Sequence, residues 1–334
     1  MTVASLEEDS FSSSSQADQI RAGPSVRIDV LGKNIFERTV STLQKFAGVA
    51  PSMVSEATPA GHFLPPPTRR RSSFVSAWEE SVAGYVRDGV DHLLLLRVNA
   101  YHELDYRELL AFHLETNSAL TQAYAPDGSL EIALVRIARL RTAESCLAGV
   151  SSLIPKQHRF LFSGYVNRLR GAQDFYRLVS DGLHGVCALT PAGVELRERV
   201  WAGAGAEIDA SATIGAPAFI GAGSRIAACS TIADTTSVER NCEIDCGTTV
   251  RQSWVVPNTY VGMALTVRRS VVSNQRLFHL DREVAVTCGD PRLVGPRRKS
   301  GPLLTKIQSF LESEPHRETE SEPHRQTEDG FHTI

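Results

Sequence analysis

Histidine is missing from the whole stretch between His184 and His279, and lysine is scarce, with five in 334 residues. The first absence removes imidazole, the usual neutral metal ligand and general base, from that entire stretch. None of the six cysteines (Cys146, Cys187, Cys229, Cys242, Cys246, Cys288) forms a C-x-x-C pair. Cys242 and Cys246 have no histidine near them, so they read as small wall residues rather than a zinc site. No apolar run reaches the ~18 residues of a membrane-spanning helix. The N-terminus is acidic and serine-rich and has no apolar signal core, so a reducing cytoplasm is the expected location. Neither sign of charge dominates: 35 basic and 38 acidic residues leave a net charge of −3, which argues against a nucleic-acid module. The length suits two domains.

What the chain does have is a period of six. Ile208, Ile214, Ile220, Ile226, Ile232, Val238, Ile244 and Val250 stand six apart, and Val256 extends the frame. A small residue precedes each of the first eight by two positions, from Ala206 to Thr248. Neither a helix nor a flat strand repeats at six, but a solenoid does. Each hexad is then one short strand and one turn, three hexads make a triangular coil, and the branched residue points inward. A solenoid this short needs caps or partners at its ends. The pattern resembles the hexapeptide-repeat family, and that resemblance implies a left-handed parallel β-helix.

Residues 1–25 are polar and biased and are expected to be disordered. From Val26 the chain turns globular. Asn34 with Glu37, and Asp105 with Glu108, form capping boxes, with Leu104 and Leu109 as a hydrophobic staple for the second helix. Asp91–Leu96 reads as a buried parallel strand, Leu130–Ile137 and Phe160–Val166 as further strands, and Phe74–Arg87 and Ala172–Asp181 as helices. Arg69, Arg70 and Arg71 close a Pro-rich loop that is either solvated or meets a phosphate or acidic partner. Strand and helix alternate, which predicts an α/β layer. Gly203-Ala204-Gly205 and Gly221-Ala222-Gly223 fall in the hexad frame and read as turn glycines, and Trp201 and Trp254 as covers for the solenoid. Pro302–Leu311 is a short amphipathic stretch that packs on the solenoid end, binds a partner or touches a membrane surface. It precedes a disordered tail with a tandem octad, in which His316 and His324 recur. The expected order is therefore 1–25 disordered, 26–190 α/β, 191–275 solenoid, 276–311 cap and short helix, and 312–334 tail.

Three segments resemble the sugar-nucleotide pyrophosphorylases, such as mannose-1-phosphate guanylyltransferases and glucose-1-phosphate nucleotidyltransferases. They are Leu31–Arg38 (LGKNIFER), His92–His113, and Phe160–Val166 (FLFSGYV). The resemblance implies a Rossmann-like nucleotidyltransferase domain followed by a left-handed β-helix. Active members use a glycine-rich phosphate loop after their first strand, a strand-end aspartate that binds Mg²⁺, and a lysine in a Glu-Lys-Pro motif. Nothing before Val26 matches the loop, Val98-Asn99 stands where Gly-Asp is expected, and no lysine has the Glu-Lys-Pro setting. Asparagine is a poorer Mg²⁺ ligand than a carboxylate, and phosphoryl transfer depends on such charges. The resemblance therefore implies a non-catalytic regulatory or scaffolding protein of sugar-nucleotide or polysaccharide metabolism. It would bind a sugar nucleotide and oligomerise with itself or with an active paralogue, and it would not bind nucleic acid or span a membrane. No catalytic residue, metal ligand or cofactor is assigned. The positions left for ligand contact are Lys33, Asn99, His102 and Glu103. The alternative is a hexapeptide acyltransferase with a CoA-linked donor, for which His279 is the nearest general base. A γ-class carbonic anhydrase would need three histidines around the coils, and they are absent.

Overall fold

Two hydrophobic cores share one sheet. The computed structural model describes residues 2–6, 28–47, 91–140 and 157–297. The expected helix at Phe74–Arg87, the Arg69–Arg71 loop, Cys146, Pro302–Leu311 and the tail with His316 and His324 lie outside them.

The front half builds a mixed sheet from β1 (Thr2–Leu6), β4 (His92–Arg97), β6 (Leu120–Ala125), β7 (Gly128–Arg136) and β8 (His158–Leu161), in the order β1-β4-β7-β6-β8. Strand β1 corrects the expectation of disorder across residues 1–25. Its sequence Thr-Val-Ala-Ser-Leu suits a strand, but the serine-rich stretch behind it dominates the composition of the segment. Strand β4 is buried as expected. It is parallel only to β1 and runs antiparallel to β7, so the layer is mixed rather than parallel. Around it lie a hairpin of β2 (Asp29–Val30) and β3 (Lys33–Asn34), α1 (Ile35–Ala47), β5 (Tyr101–His102), α2 (Tyr106–Glu115), β9 (Val166–Asn167) and α3 (Ala172–His184). The expected strand Phe160–Val166 is interrupted: β8 stops at Leu161, and β9 resumes at Val166 to pair with β5. Between them the backbone passes close to a ring: a Cβ on Gly164 would lie 2.4 Å from Phe162. The chain folds back on itself there.

The back half is a β-solenoid of about four turns over residues 200–272, consistent with a left-handed β-helix. One face carries β11 (Val200–Ala202), β14 (Ala218–Ile220), β17 (Thr236–Val238), β20 (Trp254–Val255) and β23 (Ser270–Ser273). The second carries β12 (Glu207–Ile208), β15 (Arg225–Ile226), β18 (Glu243–Ile244) and β21 (Thr259–Val261). The third carries β13 (Thr213–Ile214), β16 (Thr231–Ala233), β19 (Thr249–Arg251) and β22 (Thr266–Arg268). The ladder of branched side chains fills the prism, with Ile220, Ile232, Val238, Ile244 and Val250 fully buried. Each contributes roughly 1.5–3 kcal/mol of gross burial.

The corners explain the small residues. A Cβ on Gly203 or Gly221 would strike the backbone of the next coil, at Ala222 and at Glu239–Arg240. Gly205 and Gly223 instead supply left-handed backbone (φ +67° and +65°). The later corners use Cys229, Asn241, Asn258 and Ala264 at similar φ, at about 1–2 kcal/mol each for a residue with a Cβ.

The frame slips once before the end. Val238 pairs with Val255, seventeen residues on, whereas Ile220 pairs with Val238 at eighteen. Val256 is therefore not the inward residue that the period predicted. Val255 is, and Val256 turns toward the other core. The hexads then resume at Val261 and Val267 rather than loosening. The shortened corner recurs between Val267 and Val272.

The first face has two sides. Ala218, Ile220, Val238, Val255 and Val272 point into the prism, while Phe219, Trp254 and Val271 point into the α/β core. Trp254 thus covers the solenoid's side, stacked on Phe175 at 5.3 Å and 13°. Strands β10 (Val194–Arg197), β24 (Arg276–His279) and β25 (Val284–Thr287) extend this face antiparallel at its two ends, and β26 (Val294–Pro296) closes the second face against β21.

Candidate functional site

One buried carboxylate fastens the polar part of the joint between the halves. The β2–β3 loop is two residues, Leu31 (φ +52°) and Gly32 (φ +84°), as tight hairpins require. Successive left-handed residues aim both N–H groups the same way and form an anion nest. Glu239, fully buried at the end of β17, fills it: Oε1 accepts from Leu31 N–H and Oε2 from Gly32 N–H, each at 2.9 Å. The Ser237 hydroxyl (2.7 Å) and the Trp254 indole N–H (3.1 Å) donate to Oε1 as well. Burial pushes Glu239 up to about 7, against the pull of those four hydrogen bonds. Arg240 pairs with the buried Asp29 at 2.9 Å, and Arg38 donates to the carbonyls of Val30, Leu31 and Thr190. Gly32 admits no side chain, since a Cβ there would lie 2.9 Å from the Phe219 ring.

That hairpin leads into a cleft of about 640 Å³ between α1 and the segment Tyr101–Arg107. Asn34 Oδ1 caps α1 by accepting from Glu37 N–H, and Asp105 caps α2 by accepting from Arg107 N–H, both at 2.8 Å. Asn34 and Asp105 thus act as N-caps, but of each expected capping box only this half is seen: neither Glu37 nor Glu108 is shown returning a bond to the cap's N–H.

Three of the four expected contact residues, Lys33, His102 and Glu103, line this cleft. Lys33 is exposed. Glu103 accepts from the Tyr101 hydroxyl at 3.1 Å and from Ala188 N–H, so it fastens the cleft wall. Burial, then the Glu103 charge, holds the Tyr101 phenol well above its ordinary range. His102 lies edge-on to Tyr106 at 6.0 Å. Burial, helped by Arg168, pushes its imidazole down to about 4, which keeps it neutral at pH 7. Its Nδ1 and the Tyr106 hydroxyl are buried without a hydrogen-bond partner.

Asn99 is elsewhere. Its Nδ2 donates to Glu131 Oε2 at 2.7 Å, and Arg97 reaches the same oxygen at 3.0 Å. Asn99 Oδ1 is buried without a partner. This donor set does not fit Mg²⁺, which takes carboxylates and waters in near-octahedral order. The one carboxylate here is already paired with a guanidinium. Among the described residues no group of three or more His, Cys, Asp or Glu is placed to hold a metal ion.

His279 sits on β24 and accepts from Arg282 N–H at 3.4 Å in the β24–β25 turn. Cys242 is in the solenoid wall, its thiol pushed up to about 12 by burial. No described helix is long and apolar enough to cross a membrane.

The sequence reading missed Glu239, because its corner position holds glycine in the two coils before it. It gave no sign either that Lys45 and Arg107 line the cleft, which follows from helix placement and no motif. No protein-family model matches the chain, and a comparison with curated proteins finds no match either.

Proposed function

We propose that the chain is a nucleotidyltransferase-like protein of sugar-nucleotide or surface-polysaccharide metabolism that regulates or scaffolds rather than catalyses. The fold class behind this reading is a Rossmann-like nucleotidyltransferase domain followed by a left-handed β-helix. The observation that carries it is the state of the strand ends. Strand β1 lies parallel beside β4, and the sequence that follows it is Glu7-Glu8-Asp9, without the glycines that active members carry after their opening strand. An acidic sequence is unsuited to the phosphate-cradling role that the resemblance assigns to a glycine-rich loop. At the end of β4, Asn99 and Arg97 share Glu131, and among the described residues no group of three or more His, Cys, Asp or Glu is placed to hold a metal. The chemistry lost is charge neutralisation of the transferring phosphoryl group. What remains is a cleft suited to binding and a solenoid suited to assembly with itself or an active paralogue.

The test uses the full chain. Calorimetry with sugar nucleotides is expected to give binding, and incubation with nucleoside triphosphate and sugar 1-phosphate is expected to release no pyrophosphate. Pyrophosphate release at a rate proportional to protein would overturn the reading.

A further inference from the structure

We infer that His113 and the basic groups around it form an acid-sensitive latch on α2, the helix that carries Tyr106 and Arg107 into the wall of the cleft. Tyr106, Leu109 and His113 make the buried face of that helix, at spacings of three and four. The third of them is an imidazole with no exposed surface. One hydrogen bond holds it, between Nδ1 and the Thr121 hydroxyl at 2.8 Å. Its Nε2 is buried without a partner among the described residues. A half-satisfied polar ring is a costly filling for a core position, which points to a role other than packing.

The groups that face His113 are basic. The His92 ring, on β4, meets it edge-on at 5.5 Å. Arg136, at the end of β7, acts on both rings, and His158 of β8 acts on His113. Asp91 is the acid that acts on His92, against Arg136 and the amino terminus. Arg136 donates to Asn117 Oδ1, and His158 Nδ1 meets the Ser118 hydroxyl at 3.0 Å, so the same groups hold the turn that follows α2. Burial first, then His92, Arg136 and His158, pushes His113 down to about 4. A helix C-terminus favours a cation, but the desolvation of this ring outweighs it. A proton therefore reaches His113 when the last turn of α2 lifts, together with Asn117 and Ser118. In the lifted state the imidazole recovers its ordinary affinity, near pH 6.5, and below that pH binds more protons than in the closed state. Lifting becomes easier as pH falls from about 6.5 toward 4 and is indifferent to pH above that window. Tyr106 and Arg107 lie two turns up the same helix and line the cleft, so the movement reaches its wall. The latch goes beyond the proposed function and does not depend on what the cleft binds.

The test is amide hydrogen exchange on the full chain at about pH 7.5 and about pH 4.5, corrected for the intrinsic pH dependence of exchange. Opening of residues 106–118 is expected to rise roughly seventyfold between the two. The buried strands of the same half, β4 and β7, and the solenoid strands are expected to change by less than about threefold. His113→Gln, which keeps an amide beside Thr121 and does not titrate, is expected to remove most of the rise. A proton NMR titration of the wild-type histidines covers the case in which that variant fails to fold: His113 is expected to stay neutral down to about pH 5. A rise shared equally by β4 and β7 is unfolding of the whole half and overturns the latch. A rise that stops short of Tyr106 and Arg107 overturns it too, since the cleft is then untouched. So does a rise that persists in His113→Gln, no rise at all, or a wild-type His113 that titrates near pH 6.5.

Discussion

Replacing Glu239 by alanine removes the acceptor for four donors at once: the N–H groups of Leu31 and Gly32, the Ser237 hydroxyl and the Trp254 indole. Each buried donor left without a partner costs about 1–3 kcal/mol. Part of that is offset, because burial already disfavours the ionised carboxylate, as its elevation to about 7 reflects. Loss of one member of a buried charged network typically nets about 3–5 kcal/mol, and that is the expected destabilisation. Glu239→Gln separates charge from shape. A glutamine carbonyl can serve the three donors on Oε1, but its NH₂ then faces Gly32 N–H, donor against donor. The expected loss is about 1.5–3 kcal/mol, that of one charge-assisted hydrogen bond. Urea unfolding at pH 8.5, where the carboxylate is ionised, followed by tryptophan fluorescence and circular dichroism, measures both variants. The order wild type, Gln, Ala in decreasing midpoint is expected. A loss below about 1 kcal/mol for Glu239→Ala would refute the idea that this carboxylate joins the two halves.

Ile232→Ala, in the middle of the solenoid and fully buried, is expected to cost about 2–5 kcal/mol in the same assay. Asp105→Ala removes the cap on α2 and is expected to cost about 0.5–2 kcal/mol in the same assay. His113 is fully buried between Thr121 and His92, and burial pushes it down to about 4. An unfolded imidazole takes up its proton near pH 6.5, so below that pH the unfolded chain binds more protons than the folded one. Stability is therefore complete above about pH 6.5 and falls toward pH 4, by up to about 3 kcal/mol from this residue. Comparing the pH dependence of the unfolding midpoint in wild type and His113→Leu checks it, since the variant should lose that part of the slope. Glu239 acts with the opposite sign. Its raised pKa makes stability increase as pH falls from about 7 toward the ordinary carboxylate range, and Glu239→Gln should remove that rise.

The solenoid could be read directly because its signal is a period no other element produces. The slip at Val255 could not, because Val255 and Val256 are both valine and either fits the pattern. Strand β1 was hidden by a composition averaged over its serine-rich neighbours. The break in Phe160–Val166 depends on where the Phe162 ring sits against Gly164, a tertiary fact that alternation does not encode. N-caps are local in sequence and were legible at Asn34 and Asp105. The cleft was legible only where a family motif pointed, at Lys33, His102 and Glu103. Asn99 was drawn in by the same motif, but Glu131 holds it elsewhere. Lys45 and Arg107 line that cleft together only because α1 and the start of α2 are brought side by side in the fold.

The two shortened corners, Arg251–Ser253 and Arg268–Ser270, lie one above the other, and Ser270 N–H donates to Ser253 Oγ at 3.1 Å. The solenoid is consequently not a stack of interchangeable modules. A duplicated coil spliced in ahead of Val250 must carry eighteen residues, and one spliced in after it seventeen. A designer who copies the wrong length rotates every downstream isoleucine or valine out of the interior by one position. The same arithmetic governs insertions that the coil must absorb into its own path, whereas an insertion at an outer corner escapes it by looping out into solvent.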